Sequence, residues 1–187
     1  MKAKLVVGLA AFGFAASVLA QGYTIDPRLT FVTWAVSHFG ISTFRGKLHK
    51  VTGKIVLDRA ARSGSVDVTI DAAAQWSGDD KLDLHLAGND FFAVAKFPAI
   101  TFKSNRLEFS GDTLSRVHGD MTMLGVTRPV TLNASLFRCI DHPVRKVPMC
   151  GADFTTSIMR SEFGMKYAVP VVGDEVKLDI QVEAYKD

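Results

Sequence analysis

The chain has 187 residues, 48% of them hydrophobic, and a formal charge of +3, which gives enough length for one domain with a sizeable core and too little charge for a nucleic-acid binder. No basic run interleaved with aromatics and no zinc-finger spacing occurs. The two cysteines, Cys139 and Cys150, are too few for a structural zinc site and do not form a CxxC redox motif.

At the N-terminus, Lys2 and Lys4 precede an uncharged run from Leu5 to Ser17, followed by Val18-Leu19-Ala20. A membrane helix needs about 20 apolar residues, and this run is shorter and ends in a small-residue tripeptide. It predicts a signal peptide over 1–20, cleaved at Ala20/Gln21, and a single exported domain over 21–187. Removing both lysines brings the formal charge to about +1.

A period of two then dominates. Val32, Trp34, Val36 and His38 share one strand face, and Phe44, Gly46 and Leu48 continue on the next. Val51, Gly53, Ile55 and Leu57 have the other parity, which predicts a β-bulge near Lys50. Val66, Val68, Ile70 and Ala72 follow a charged turn. The pattern breaks at Asp79–Leu86, where leading acidic residues, Leu82 and Leu86 one turn apart, and Gly88 afterwards predict one short helix over 79–87. Alternation resumes in Pro98–Phe102, Leu107–Phe109 and Val117–Met123. Leu124-Gly125 makes a turn. Val130, Leu132, Ala134 and Leu136, then Ala152, Phe154, Thr156 and Ile158, and finally Val176, Leu178, Ile180, Val182 and Ala184 complete the set.

About eight strands with a single short helix to cover them predict an all-β, antiparallel fold. An extended barrel removes the exposed edges; a β-sandwich shares the same periodicity. Periodicity does not say whether such a barrel is filled or hollow. Cys139 and Cys150 should form a disulfide in an oxidising compartment.

Some polar residues invite a chemical reading. His38 is either a head-group contact at the barrel mouth or a buried histidine bonded to a neighbouring strand. Asp83 and His85 are either part of an acid/base or metal arrangement with His38, or anchors of the helix; they are two apart on a helix, and no third metal ligand is evident. Arg160 could fork onto a phosphate or pair with an acidic residue. Phe91, Phe92, Phe97 and Phe102 are equally suited to lining a tunnel or packing a core. Met121 and Met123 would give a wall an adaptable surface or fill gaps. No nucleophile elbow, phosphate-binding glycine loop or HExxH motif occurs.

Several segments together resemble one bacterial family. They are Tyr23-Thr24-Ile25-Asp26-Pro27; Val32-x-Trp34-x-Val36-x-His38-Phe39-Gly40; Phe44-x-Gly46; Asp83-Leu84-His85-Leu86 with Asp90-Phe91-Phe92; Lys96-Phe97-Pro98-x-Ile100-x-Phe102; Gly119–Val130; Arg160–Met165; and Val172–Val176. The chain resembles the YceI-like family, with Leu82 and Ala87-Gly88 departing from its common pattern. The resemblance implies a lipocalin-like barrel that is periplasmic and binds polyisoprenoids, isoprenoid quinones or similar amphipathic lipids, without a shared enzymatic activity. It implies no cofactor beyond such a lipid, and admits transient membrane contact and a homodimer. The expected wall and mouth, drawn from inward positions and the resemblance, comprise Val32, Trp34, Val36, His38, Phe44, Ile70, His85, Phe91, Phe92, Ile100, Phe102, Met121, Met123, Leu132, Phe154, Ile158 and Ile180. Arg160 is the head-group candidate. The competing expectation is an enzyme acting on a lipid or quinone through His38, Asp83 and His85.

Overall fold

The structure is a computed structural model that describes residues 20–187; the predicted signal peptide, apart from Ala20, lies outside the described residues. It contains eleven strands: β1 (Gln21–Ile25), β2 (Phe31–His38), β3 (Ser42–Leu48), β4 (Val51–Asp58), β5 (Ser63–Asp71), β6 (Gln75–Trp76), β7 (Ala99–Ser110), β8 (Thr113–Met123), β9 (Val126–Asp141), β10 (Pro148–Met159) and β11 (Val172–Lys186), with one helix, α1 (Asp80–Ala87). All pairings are antiparallel. The sheet runs β1-β4-β5-β7-β8-β9-β10-β11, and β1 pairs with β11 to close it.

Eight wall strands become eleven segments because three neighbouring strands break. β1 and β2 are successive parts of one strand, since both pair with β11. The gap at 26–30 is spanned by Glu183, whose carbonyl accepts from Asp26 N–H at 2.9 Å and from the Thr30 hydroxyl at 3.2 Å, and whose N–H donates to that hydroxyl at 3.1 Å. Buried Thr30 thus replaces ladder bonds that the break would leave unmade. β3 and β4 break at His49-Lys50, and β5 and β6 at Ala72–Ala74. The parity change near Lys50 is therefore not the predicted bulge. It is a two-residue corner with Lys50 in the left-handed region (φ 56), after which β3 and β4 face different partners, β2 and β1.

The helix forms where the charge pattern placed it. Asp79 caps it by accepting from Leu82 N–H at 2.8 Å, and Gly88 N–H closes it on the His85 carbonyl. It belongs to a connection, 77–98, that follows β6. Among the described residues β6 pairs only with β3, so the wall between β6 and β7 is built from this connection rather than from a hydrogen-bonded ladder. The Leu124-Gly125 turn has positive φ at both residues (54 and 76), which matches the twist of the β8–β9 hairpin.

Cys139 and Cys150 stand directly opposite each other on β9 and β10 and form the expected disulfide. With 11 residues of separation, its loss should destabilise the domain by about 3 kcal/mol through the unfolded chain. Urea unfolding of the Cys139→Ser/Cys150→Ser protein measures this, and an unchanged midpoint would remove the bridge from the account.

Candidate functional site

The inward faces do not meet. A cavity of ≈ 210 Å³ runs inside the barrel, from Tyr23, Leu57 and Ala184 at one end to Leu86, Phe91, Met165 and Val172 at the other. Its wall is apolar except for Thr30, Thr101, Thr156, Arg160 and the backbone at Gly151. Val66, Val68, Ile70, Leu132, Ile180 and Val182 point inward yet are only half-buried, because the cavity, not protein, lies over them. Small residues make room for large ones on this wall. A Cβ added to Gly46 would lie 2.2 Å from Trp34 Cζ2, and one on Gly119 2.5 Å from Phe102 Cζ. Two buried side-chain atoms, Trp34 Nε1 and Gln75 Oε1, have no hydrogen-bond partner among the described residues.

Of the residues expected at the wall, Val32, Trp34, Val36, Ile70, Phe91, Phe92, Ile100, Phe102, Met121, Met123, Leu132, Phe154, Ile158 and Ile180 border the cavity. Phe97, which the sequence left open between tunnel and core, does not border it; it packs under the β8–β9 turn, where a Cβ on Gly125 would meet its ring at 2.9 Å. His38, Phe44 and His85 also leave the wall. β11 shifts register between Val172 and Val176, and His38 lies beyond that shift. Its ring stacks on Phe44, centroids 3.8 Å apart at 15°, near the β2–β3 turn. His85 is half-exposed, with Nε2 3.7 Å from an Asp90 oxygen and its ring edge-on to Phe91 at 5.0 Å and Tyr167 at 5.5 Å.

Asp83 serves the anchoring role. Its carboxylate accepts from Ser77 N–H at 2.7 Å and its carbonyl accepts from Gln75 Nε2 at 2.7 Å, tying α1 to β6. The carboxylate beside His85 is Asp90, not Asp83, and among the described residues no cluster of three or more metal-ligating side chains exists.

Arg160 borders the cavity, but its donors point elsewhere. Nε donates to the Gly173 carbonyl (2.8 Å), Nη1 to Met165 (3.2 Å) and Tyr167 (2.9 Å), and Nη2 to Val172 (2.9 Å). Burial pulls its guanidinium below its ordinary value. Neither the phosphate fork nor the acidic pair expected from sequence describes it, because the segment 164–173 wraps its carbonyls around the fork. The adjacent Asp174 accepts from Ser161 N–H (2.8 Å) and Oγ–H (2.6 Å), and these bonds hold its carboxyl below the ordinary 3.8. A depressed folded value means stability that is present above the ordinary range and lost as pH falls through the lowered one. Asp174→Asn should therefore flatten the fall in stability below about pH 4. Acid unfolding followed by circular dichroism checks this, and parallel curves for the two proteins would contradict it.

The sequence that forms this barrel matches a known family model. The YceI-like domain model aligns with residues 23–184. The chain belongs to the YceI-like family. A UPF0312 protein of Pseudomonas putida is 33% identical to this YceI-like chain over 187 residues, covering 98% of it and 96% of the relative. The Campylobacter jejuni YCEI protein superposes with a TM-score of 0.72 at 26% identity, over 81% of this chain and 90% of that one. A polyisoprenoid binding domain from Saccharophagus degradans shares the fold at a TM-score of 0.67 and 13% identity, over 89% and 99% of the two chains.

The wall residues not anticipated from sequence include Tyr23, Ile25, Thr30, Val51, Leu57, Leu114, Val117 and Leu178. Their alternation was readable, but nothing in one sequence separates an inward residue that lines a cavity from one that fills a core.

Proposed function

We propose that this YceI-like protein is a periplasmic binding protein that sequesters or carries a long isoprenoid lipid or isoprenoid quinone inside its barrel. The observation that carries the reading is the cavity itself, whose wall is apolar but for three threonines and the backbone at Gly151, and whose bordering cation has its donors turned onto backbone carbonyls. A dry apolar tube favours a guest in proportion to buried apolar area, about 25 cal/mol per Å², less the cost of ordering a flexible chain. A long guest with many carbons and few polar atoms meets that condition. The structural neighbour described as a polyisoprenoid binding domain supports the same class of ligand. The disulfide suits an oxidising compartment, in keeping with export. Binding rather than turnover fits the polar residues, since Asp83 anchors α1, while His38 and His85 sit in aromatic clusters off the cavity wall.

Titrating the mature protein with a long-chain prenol and with a long-chain quinone, followed by the fluorescence of cavity-lining Trp34, tests the proposal. Saturable binding at micromolar concentration or tighter is expected. No binding by either ligand would overturn it.

A further inference from the structure

The cavity ends, away from α1, at Tyr23, Leu57 and Cys150. A second hollow shares Tyr23 and Leu57 with it and is bordered also by Arg59, Cys139, Ile140 and Met149. Cys150 faces the inner cavity and Cys139 the outer hollow, so the disulfide stands in the partition between them.

The β9–β10 hairpin flanks this outer hollow. At its tip Val144 is 83% exposed, with Ile140 at 50% and Val147 at 38% beside it. Arg145 and Lys146 are exposed between the valines, and Arg138 lies further down the same strand pair. The tip is a preformed projection. His142 Nδ1 accepts from the N–H groups of Val144 and Arg145, both at 3.1 Å, while His142 N–H donates to the Val147 carbonyl at 2.8 Å and Lys146 N–H to the His142 carbonyl at 2.9 Å. The Arg145 guanidinium lies 5.2 Å over the Tyr185 ring. Among the described residues, none of Arg59, Arg138, Arg145 and Lys146 forms a salt bridge.

Exposed valine flanked by Arg145 and Lys146, neither in a salt bridge, on a hydrogen-bonded turn is the chemistry that partitions into an anionic lipid surface, with the apolar side chain at the acyl boundary and the cations among head groups. The opposite end of the barrel also exposes apolar side chains, Phe39 at 56%, Ile41 at 84%, Leu84 at 76% and Val171 at 56%, with Lys81 and Lys166 exposed near them, but these are spread over a turn, α1 and the segment 164–173 rather than gathered on one projecting hairpin. We infer that the disulfide end of the barrel docks on an anionic lipid bilayer through the β9–β10 hairpin tip, with the outer hollow turned towards the membrane. The docking stands without a filled cavity; the lipid transfer it would serve rests on the proposed function.

The test is cosedimentation of the mature, disulfide-bonded protein with phosphatidylcholine vesicles, with and without phosphatidylglycerol. Binding is expected only with the anionic lipid and should weaken as salt rises. Arg145→Gln and Lys146→Gln should each reduce partitioning about fivefold, and Val144→Glu should abolish it, whereas Ile41→Glu should leave it unchanged. Circular dichroism confirms folding, and prenol binding in free solution should be the same for all four variants. Absence of binding to anionic vesicles, retained binding by Val144→Glu, or loss on Ile41→Glu would overturn the docking assignment. Vesicle binding without prenol binding would leave the docking intact and overturn the lipid-holding reading instead.

Discussion

Replacing Arg160 with methionine should destabilise the domain by about 3–4 kcal/mol, a fall in Tm of about 10 °C. The side chain is only 3% exposed, and its removal leaves the carbonyls of Met165, Tyr167, Val172 and Gly173 without their shared donor. Those carbonyls belong to the segment that brings buried Phe163 and Met165 over one end of the barrel. Lysine cannot restore the arrangement, since a single ammonium lacks the planar fork that reaches carbonyls on both sides, so Arg160→Lys should recover less than half of the loss. Ligand affinity of the folded fraction should change little, because the donors address backbone rather than cavity. Thermal unfolding of the two variants measures the effect. A loss under about 1 kcal/mol would mean that apolar packing alone holds the segment.

The largest effect on binding is expected from Leu132→Trp. Leu132 faces the cavity from β9, opposite Val117 of β8 in register, and is half-buried because open space lies over it. An indole there fills space that a ligand chain would occupy and covers apolar surface, so stability should hold or rise while the tunnel is interrupted. Excluding one five-carbon isoprene unit forfeits about 4 kcal/mol at about 0.8 kcal/mol per buried carbon group, several hundred-fold in affinity. Titration with a long-chain prenol measures the loss. Wild-type affinity in a folded Leu132→Trp protein would place the guest outside the barrel.

The sequence carried the barrel because alternation is a local property that each strand states for itself. Val32, Trp34 and Val36 read as one inward face without knowledge of their partners, and Asp79 and Gly88 marked both ends of α1. What escaped was set by contacts far apart in the chain. The break at 26–30 depends on Glu183, 153 residues after Thr30, so the change of parity near Lys50 read as a bulge rather than as one of three aligned corners. The strand β7 looked like two short ones because its register shifts between Ser104 and Arg106. His38 kept the inward parity of its strand, yet it lies beyond the irregularity in β11 and its ring stacks on Phe44. Arg160 was visible as a charged residue in a late loop, but its partners are backbone carbonyls, which no residue pattern encodes.

The central claim is that an isoprenoid lipid occupies the barrel, and native mass spectrometry of the protein isolated gently from the envelope of cells expressing it tests that claim most directly. The account predicts a bound species whose released ligand is a long isoprenoid or isoprenoid quinone, lost in Leu132→Trp. Protein of apo mass alone, unchanged after incubation with long-chain prenol or quinone, would contradict it.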